Sequence, residues 1–162
     1  MQIATISEIK NALKSLDAKA ISELCLELAR YSKENKELLT FLIFEKEDEP
    51  LYIKESIAEM DAQFVNINTK AGFFAKKQVR SLLKLAQRRI KISRSKKVEV
   101  ELIIHFCSLL QKLPDNVYYY PVIFNIFKRQ FEKVKKTIDT LHEDLQYDYN
   151  LMLEDSLKTH KH

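Results

Sequence analysis

Apolar residues recur along this chain in steps of three and four with charged residues between them, and the phase of that pattern divides it into helices. Thr5 and Glu8 have capping-box spacing, and Ile6, Ile9, Leu13 and Leu16 follow, which predicts a first short helix to about Leu16. Asp17 is the expected cap of a second, on which Ile21, Leu24, Cys25 and Leu28 share one face. Asn35 is the expected cap of a third, running through Leu38 to Phe44. That run is apolar enough for a buried strand, but its charged flanks and the lack of a second strand to pair with favour helix. Pro50 suits the first turn of a fourth helix with Leu51, Ile57, Met60, Phe64 and Ile67 as its apolar positions, and residues 66–72 read as a loop.

The cleanest amphipathic pattern spans Phe73 to Ile92, with Val79, Leu82, Leu83, Ala86 and Ile90 opposite Lys76, Lys77, Arg80, Lys84 and Arg88. Ser95 is placed to cap a helix from Val98 to Leu113 that is apolar around most of its circumference and is therefore expected at the centre. Pro114 and Asp115 end it. After Pro121, Phe124, Phe127, Phe131, Val134, Ile138, Leu141 and Leu145 form a heptad seam, predicting one long helix or two nearly collinear ones. The expectation is one all-α domain over residues 1–162, an irregular bundle or an α-α superhelix of about seven to eight helices, with residues 158–162 a frayed tail.

Composition sharpens this picture. One glycine among 162 residues argues against sheets joined by tight turns, and it excludes a phosphate-cradling loop or a dinucleotide fingerprint, which need clustered glycines. Cys25 and Cys107 each sit inside an apolar helical pattern and read as buried free thiols rather than a disulfide or a metal knuckle. The first sixteen residues lack the continuous apolar core of a secretory signal, and no stretch approaches a membrane span, so the cytoplasm is the expected address.

Three segments resemble a family of small bacterial proteins, domain-of-unknown-function family 6155. They are LCLELARYSKENKELLTFL from Leu24 to Leu42, AKKQVRSLLKLA from Ala75 to Ala86, and the Tyr-x-x-x-Phe helix within Tyr118 to Val134. The resemblance implies a helical fold and brings no activity with it.

Charge is distributed unevenly. Between Asp61 and Glu99 there are eleven Lys and Arg and no acid, leaving sixteen bases for all 23 acids elsewhere, and the net charge of +4 hides this. Lys76, Lys77, Arg80, Lys84, Arg88 and Lys91 are the candidate anion- or nucleic-acid-binding residues, and Phe73 and Phe74 are placed to stack on bases. The alternative is a solvated face paired with the acidic remainder, Glu45 to Glu49 included. Tyr118, Tyr119, Phe127 and Phe131 are the candidate protein interface, since three consecutive tyrosines cannot all point inward.

Catalytic candidates are few. Glu101 and His105, Asp139 and Glu143, and His142 and Gln146 have helical spacing, but such pairs are common in charged helices. No Glu-x-x-His occurs, His160 and His162 lie in the tail, and no metal, cofactor or catalytic group is assigned. The expected function is that of a non-enzymatic helical protein binding another protein or itself, with nucleic-acid association through the basic helix 73–97 as the alternative.

Overall fold

The computed structural model describes residues 2–157, which are all-α, with nine helices and no strand among them. The tail expected to fray lies outside the described residues. The chain divides into two compact units, one ending at Glu45 and the other beginning at Lys46.

The first unit holds α1 (Ile6–Leu13), α2 (Ala18–Tyr31), α3 (Lys33–Thr40) and a π-helical turn (Phe41–Glu45). Thr5 and Glu8 form the predicted capping box, and Asp17 accepts from the Ala20 amide at the start of α2. The third cap is corrected by the structure. Ser32, extended at φ −147° and ψ 154°, accepts from the Asn35 amide and caps α3. Asn35 instead donates its side-chain amide to the Leu28 carbonyl at 2.8 Å, satisfying the end of α2. The apolar run ending at Phe44 continues α3 into the wider π turn, and no residue of α1, α2 or α3 is fully buried.

The second unit is built around one helix. In it, α4 (Glu49–Phe64), α5 (Gly72–Ser93), α6 (Lys96–Gln111), a single turn α7 (Asp115–Tyr118), α8 (Pro121–Ile138) and α9 (Glu143–Leu157) follow in order. The extra turn α7 is why nine helices form where seven or eight were expected. Ten residues of α6 are buried, among them Val98, Leu102, Ile103, Phe106 and Leu110, and α4, α5, α8 and α9 all pack against it. Each large apolar side chain removed from water there contributes about 1.5–3 kcal/mol.

Side-chain pairs fix the helix directions. Glu59 with Arg89, and Gln63 with Ser81, run α4 and α5 antiparallel. Lys133 with Glu99 runs α8 against α6, while Tyr149 with Glu101, and Ser156 with Ser108 across one recess, run α9 along it. So α8 and α9 are an antiparallel hairpin, not the collinear pair the seam suggested, with the reversal at residues 139–142. On α8 the buried stripe is Ile123, Phe127, Gln130, Val134 and Ile138, which faces the core, and beyond the turn Leu145 is exposed.

Of the apolar positions expected for α4, Met60 and Ile67 are buried and Ile57 and Phe64 half-buried, but Leu51 is exposed and Tyr52, Ile53 and Ser56 are buried in its place; the Tyr52 hydroxyl donates to the Arg89 carbonyl at 2.9 Å. Arg94 ends α5 in the left-handed region at φ 55°, and Ser95 caps α6 as predicted.

The single glycine has a packing role. Gly72 starts α5 against Tyr120, and a Cβ at residue 72 would overlap the Tyr120 Cβ and ring. Because the overlap includes the stiff Cβ and Cγ, Gly72→Ala is expected to destabilise the protein by about 1–3 kcal/mol, lowering the urea midpoint without changing far-UV helicity at low denaturant.

Candidate functional site

Helices α5 and α8 are the two basic elements. α5 carries seven Lys and Arg and no acid, and α8 carries five with Glu132 as its one acid. Both turn their apolar stripes toward the core, so their cations are held at the solvent side of the seam where the two helices run side by side and parallel. Along that seam lies a recess of about 440 Å³, lined by Arg80, Leu83, Lys84 and Gln87 of α5 and by Val122, Asn125, Ile126 and Arg129 of α8. Three cations and two amides stand over a floor of three apolar side chains, and no carboxylate lines the recess. Among the described residues, Arg80, Lys84 and Arg129 make no ion pair.

The other side of α5 is different. A second recess of about 380 Å³ is lined by Glu59, Gln63, Ser81, Lys84, Leu85 and Arg88. Here Glu59 takes two hydrogen bonds from the Arg89 guanidinium, Nε at 3.0 Å and Nη2 at 2.5 Å, and this contact opposes the loss of hydration so that the guanidinium is held above its usual range. An acid thus stands on the α4 side of α5 and none lines the recess on the α8 side, with Lys84 bordering both recesses.

The expected basic residues are thereby sorted. Arg80 and Lys84 come together in the α8-side recess, Lys84 bordering the α4-side one as well. Arg88 belongs to the α4-side one. Lys76 places its ammonium 4.1 Å from the Phe73 ring centroid, Lys77 is exposed, and Lys91 is exposed one turn beyond Gln87. Arg129, Asn125 and Gln87 were missed. The cations of α8 were visible as a run, but their distance in sequence from α5 gave no sign that the two helices are neighbours.

The aromatic candidates also divide. Tyr118 and Phe127 are buried, with Tyr118 edge-on to Tyr119, Phe124 and Phe127 at centroid distances of 4.9, 5.6 and 5.4 Å. Burial pushes the Tyr118 phenol up to about 12. Phe131 is half-buried and stacked on Phe127, whereas Tyr119 is 58% exposed and Tyr120 covers Gly72.

The acid and histidine pairs resolve locally. Glu101 accepts from the Tyr149 hydroxyl at 2.7 Å, and burial followed by this bond raises the Tyr149 phenol. His105 Nε2 lies 2.7 Å from Asp61 Oδ1 rather than on Glu101. A recess of about 310 Å³ adjoins His105, but the hydroxyls of Ser108 and Ser156 each donate to a carbonyl of their own helix, His105 at 2.8 Å and Leu153 at 2.6 Å. Both hydroxyls are thus engaged with their own helices. Gln146 donates to the Asp139 and Leu141 carbonyls, tying the α8–α9 turn. No group of three His, Cys, Asp or Glu among the described residues is placed to hold a metal, and no described helix is long and apolar enough to cross a membrane.

In comparisons with known proteins, no family model, no curated protein and no solved structure matches the chain.

The cysteines differ from each other. Cys107 is buried, and desolvation pushes its thiol up to about 12, while Cys25 is half-buried instead of fully buried as expected. With a thiol reagent at pH 8, the folded protein is expected to release chromophore for one fast thiol per chain, the second appearing only in denaturant. Cys25→Ser should abolish the fast phase.

Proposed function

We propose that this protein binds nucleic acid, taking the phosphate backbone in the recess between α5 and α8. The observation that carries the reading is the placement of Arg80, Lys84 and Arg129 around a recess with no carboxylate, on two helices that together bear twelve cations and one acid. Cations gathered without acids repel one another, and an incoming polyanion relieves that repulsion while releasing its own counterions.

The expectation of self-assembly or protein binding ranks second. Its heptad seam is committed to the core through Phe127, Val134 and Ile138, which leaves Tyr119 as the exposed member of the aromatic candidates. The resemblance to domain-of-unknown-function family 6155 adds no activity to either reading.

The test is fluorescence polarisation with a labelled mixed-sequence RNA of about 20 nucleotides across a salt series. Binding is expected to weaken linearly in log salt. Reversing Arg80, Lys84 and Arg129 to Glu together should cost at least about tenfold in affinity at low salt and flatten the slope by about 2, near 0.7 per phosphate contact for a single strand. Reversing Lys19, Lys36 and Lys46, outside the recess, should leave both nearly unchanged. Equal losses in the two triple variants would assign the binding to net charge and remove the recess as the site.

A further inference from the structure

We infer that the nucleic acid taken by this recess is single-stranded, with a base stacked on Phe73 at its entrance. This rests on the reading of the recess as a nucleic-acid site and specifies the form of its ligand.

Three observations converge. The first is the floor. Leu83, Val122 and Ile126 lie beneath Arg80, Lys84 and Arg129, so the recess offers apolar surface below and positive charge above. Inorganic polyphosphate has nothing to place on that floor, and a duplex keeps its base faces stacked inside. A single strand exposes base and sugar surface together with phosphate.

The second is the aromatic residue in line with the cations. On a helix of 3.6 residues per turn, Phe73 and Arg80 are seven apart and share a face, with Lys84 and Gln87 continuing it. Phe73 is 60% exposed although it is a large apolar side chain, and the ammonium of Lys76 lies 4.1 Å from its ring centroid. The ammonium lies over the ring and Phe74 stands edge-on to it at 5.7 Å, so a base would stack on the ring surface these leave in solvent, with the Lys76 charge at hand for the adjoining phosphate.

The third is where the start of α5 lies. Gly72 is in contact with Tyr120 and the Asn116 side chain donates to the Lys70 carbonyl at 3.3 Å, so the start of α5 and the α7–α8 connection meet. That contact places Phe73 and Tyr119, 58% exposed, on segments joined at the same end of the α5–α8 seam. A strand lying along the seam has aromatic surface where it enters and cations where it continues.

The chain contains no Trp, so Phe73→Trp installs a single fluorescent reporter at the proposed stacking position. The experiment compares an unstructured 20-nucleotide single strand, a duplex of the same length and inorganic polyphosphate of similar charge, using the full chain at one salt concentration. The single strand is expected to bind about tenfold or more tighter than the duplex and to quench the fluorescence of the Phe73→Trp protein, with no quenching by polyphosphate. Phe73→Ala should lower single-strand affinity by roughly 5- to 100-fold, the range for loss of one stacked base, and leave polyphosphate binding unchanged. Phe73→Trp should retain the affinity.

Duplex binding equal to or tighter than single-strand binding, or Phe73→Ala without effect on the single strand, overturns the inference while leaving the recess a nucleic-acid site. Failure of every nucleic acid to bind, or binding indifferent to reversal of Arg80, Lys84 and Arg129, overturns both. Unchanged circular dichroism of Phe73→Ala guards against loss of fold as the cause of weaker binding.

Discussion

The second unit depends on covering α6. Its sequence is apolar around most of its circumference, so leaving any side of it in water would forfeit burial worth about 1.5–3 kcal/mol for each large side chain. Two neighbours would leave part of that surface wet. Four helices surround it instead, and each one's orientation follows from turning its apolar stripe toward α6. The reversal between α8 and α9 has the same origin. A single straight helix continuing the seam from Phe124 to Leu145 would carry its last apolar residues past α6, whereas folding back lets Tyr149 and Leu153 bury against the bundle.

The electrostatics of the surface follow from that packing. Residues opposite an apolar stripe must face water, and on α5 and α8 these are largely Lys and Arg. Where α5 lies beside α4, Glu59 meets the guanidinium of Arg89. Where it lies beside α8, both partners are basic and cations gather. The recess is the consequence of placing two helices of like charge next to each other around a common core. Such an arrangement costs self-repulsion, and the helices tolerate it because solvent screens charges strongly at the surface and burial against α6 outweighs what repulsion is left.

Exposed aromatics are informative for a related reason. Tyr118 and Phe127 are explained by the core they fill, and Tyr120 by the glycine it covers. Phe73 and Tyr119 keep most of their surface in water even though each touches a neighbouring ring, Phe74 for the first and Tyr118 and Phe124 for the second. The His105 and Asp61 pair shows the opposite case: residues of catalytic type brought into contact, with each neighbouring hydroxyl committed to a helix carbonyl.

What the sequence determined by itself was whatever depends on neighbours within a few turns of chain. The helical class, the caps at Thr5, Asp17 and Ser95, the central position of α6 and the clustering of charge between Asp61 and Glu99 are all set by local spacing and composition. Asn35 escaped because two polar residues three apart were both acceptable caps, and the choice fell to which side chain met the end of α2. At the start of α4, Tyr52 and Ile53 turn inward in place of Leu51, with the Tyr52 hydroxyl finding its partner on α5. Tertiary structure alone decided which basic residues belong together: Arg80 and Lys84 with Arg129, and Arg89 with Glu59. Periodicity records which side of a helix faces inward but not which helix will stand beside it, so a site shared by α5 and α8 exists only once α6 has drawn both to its surface.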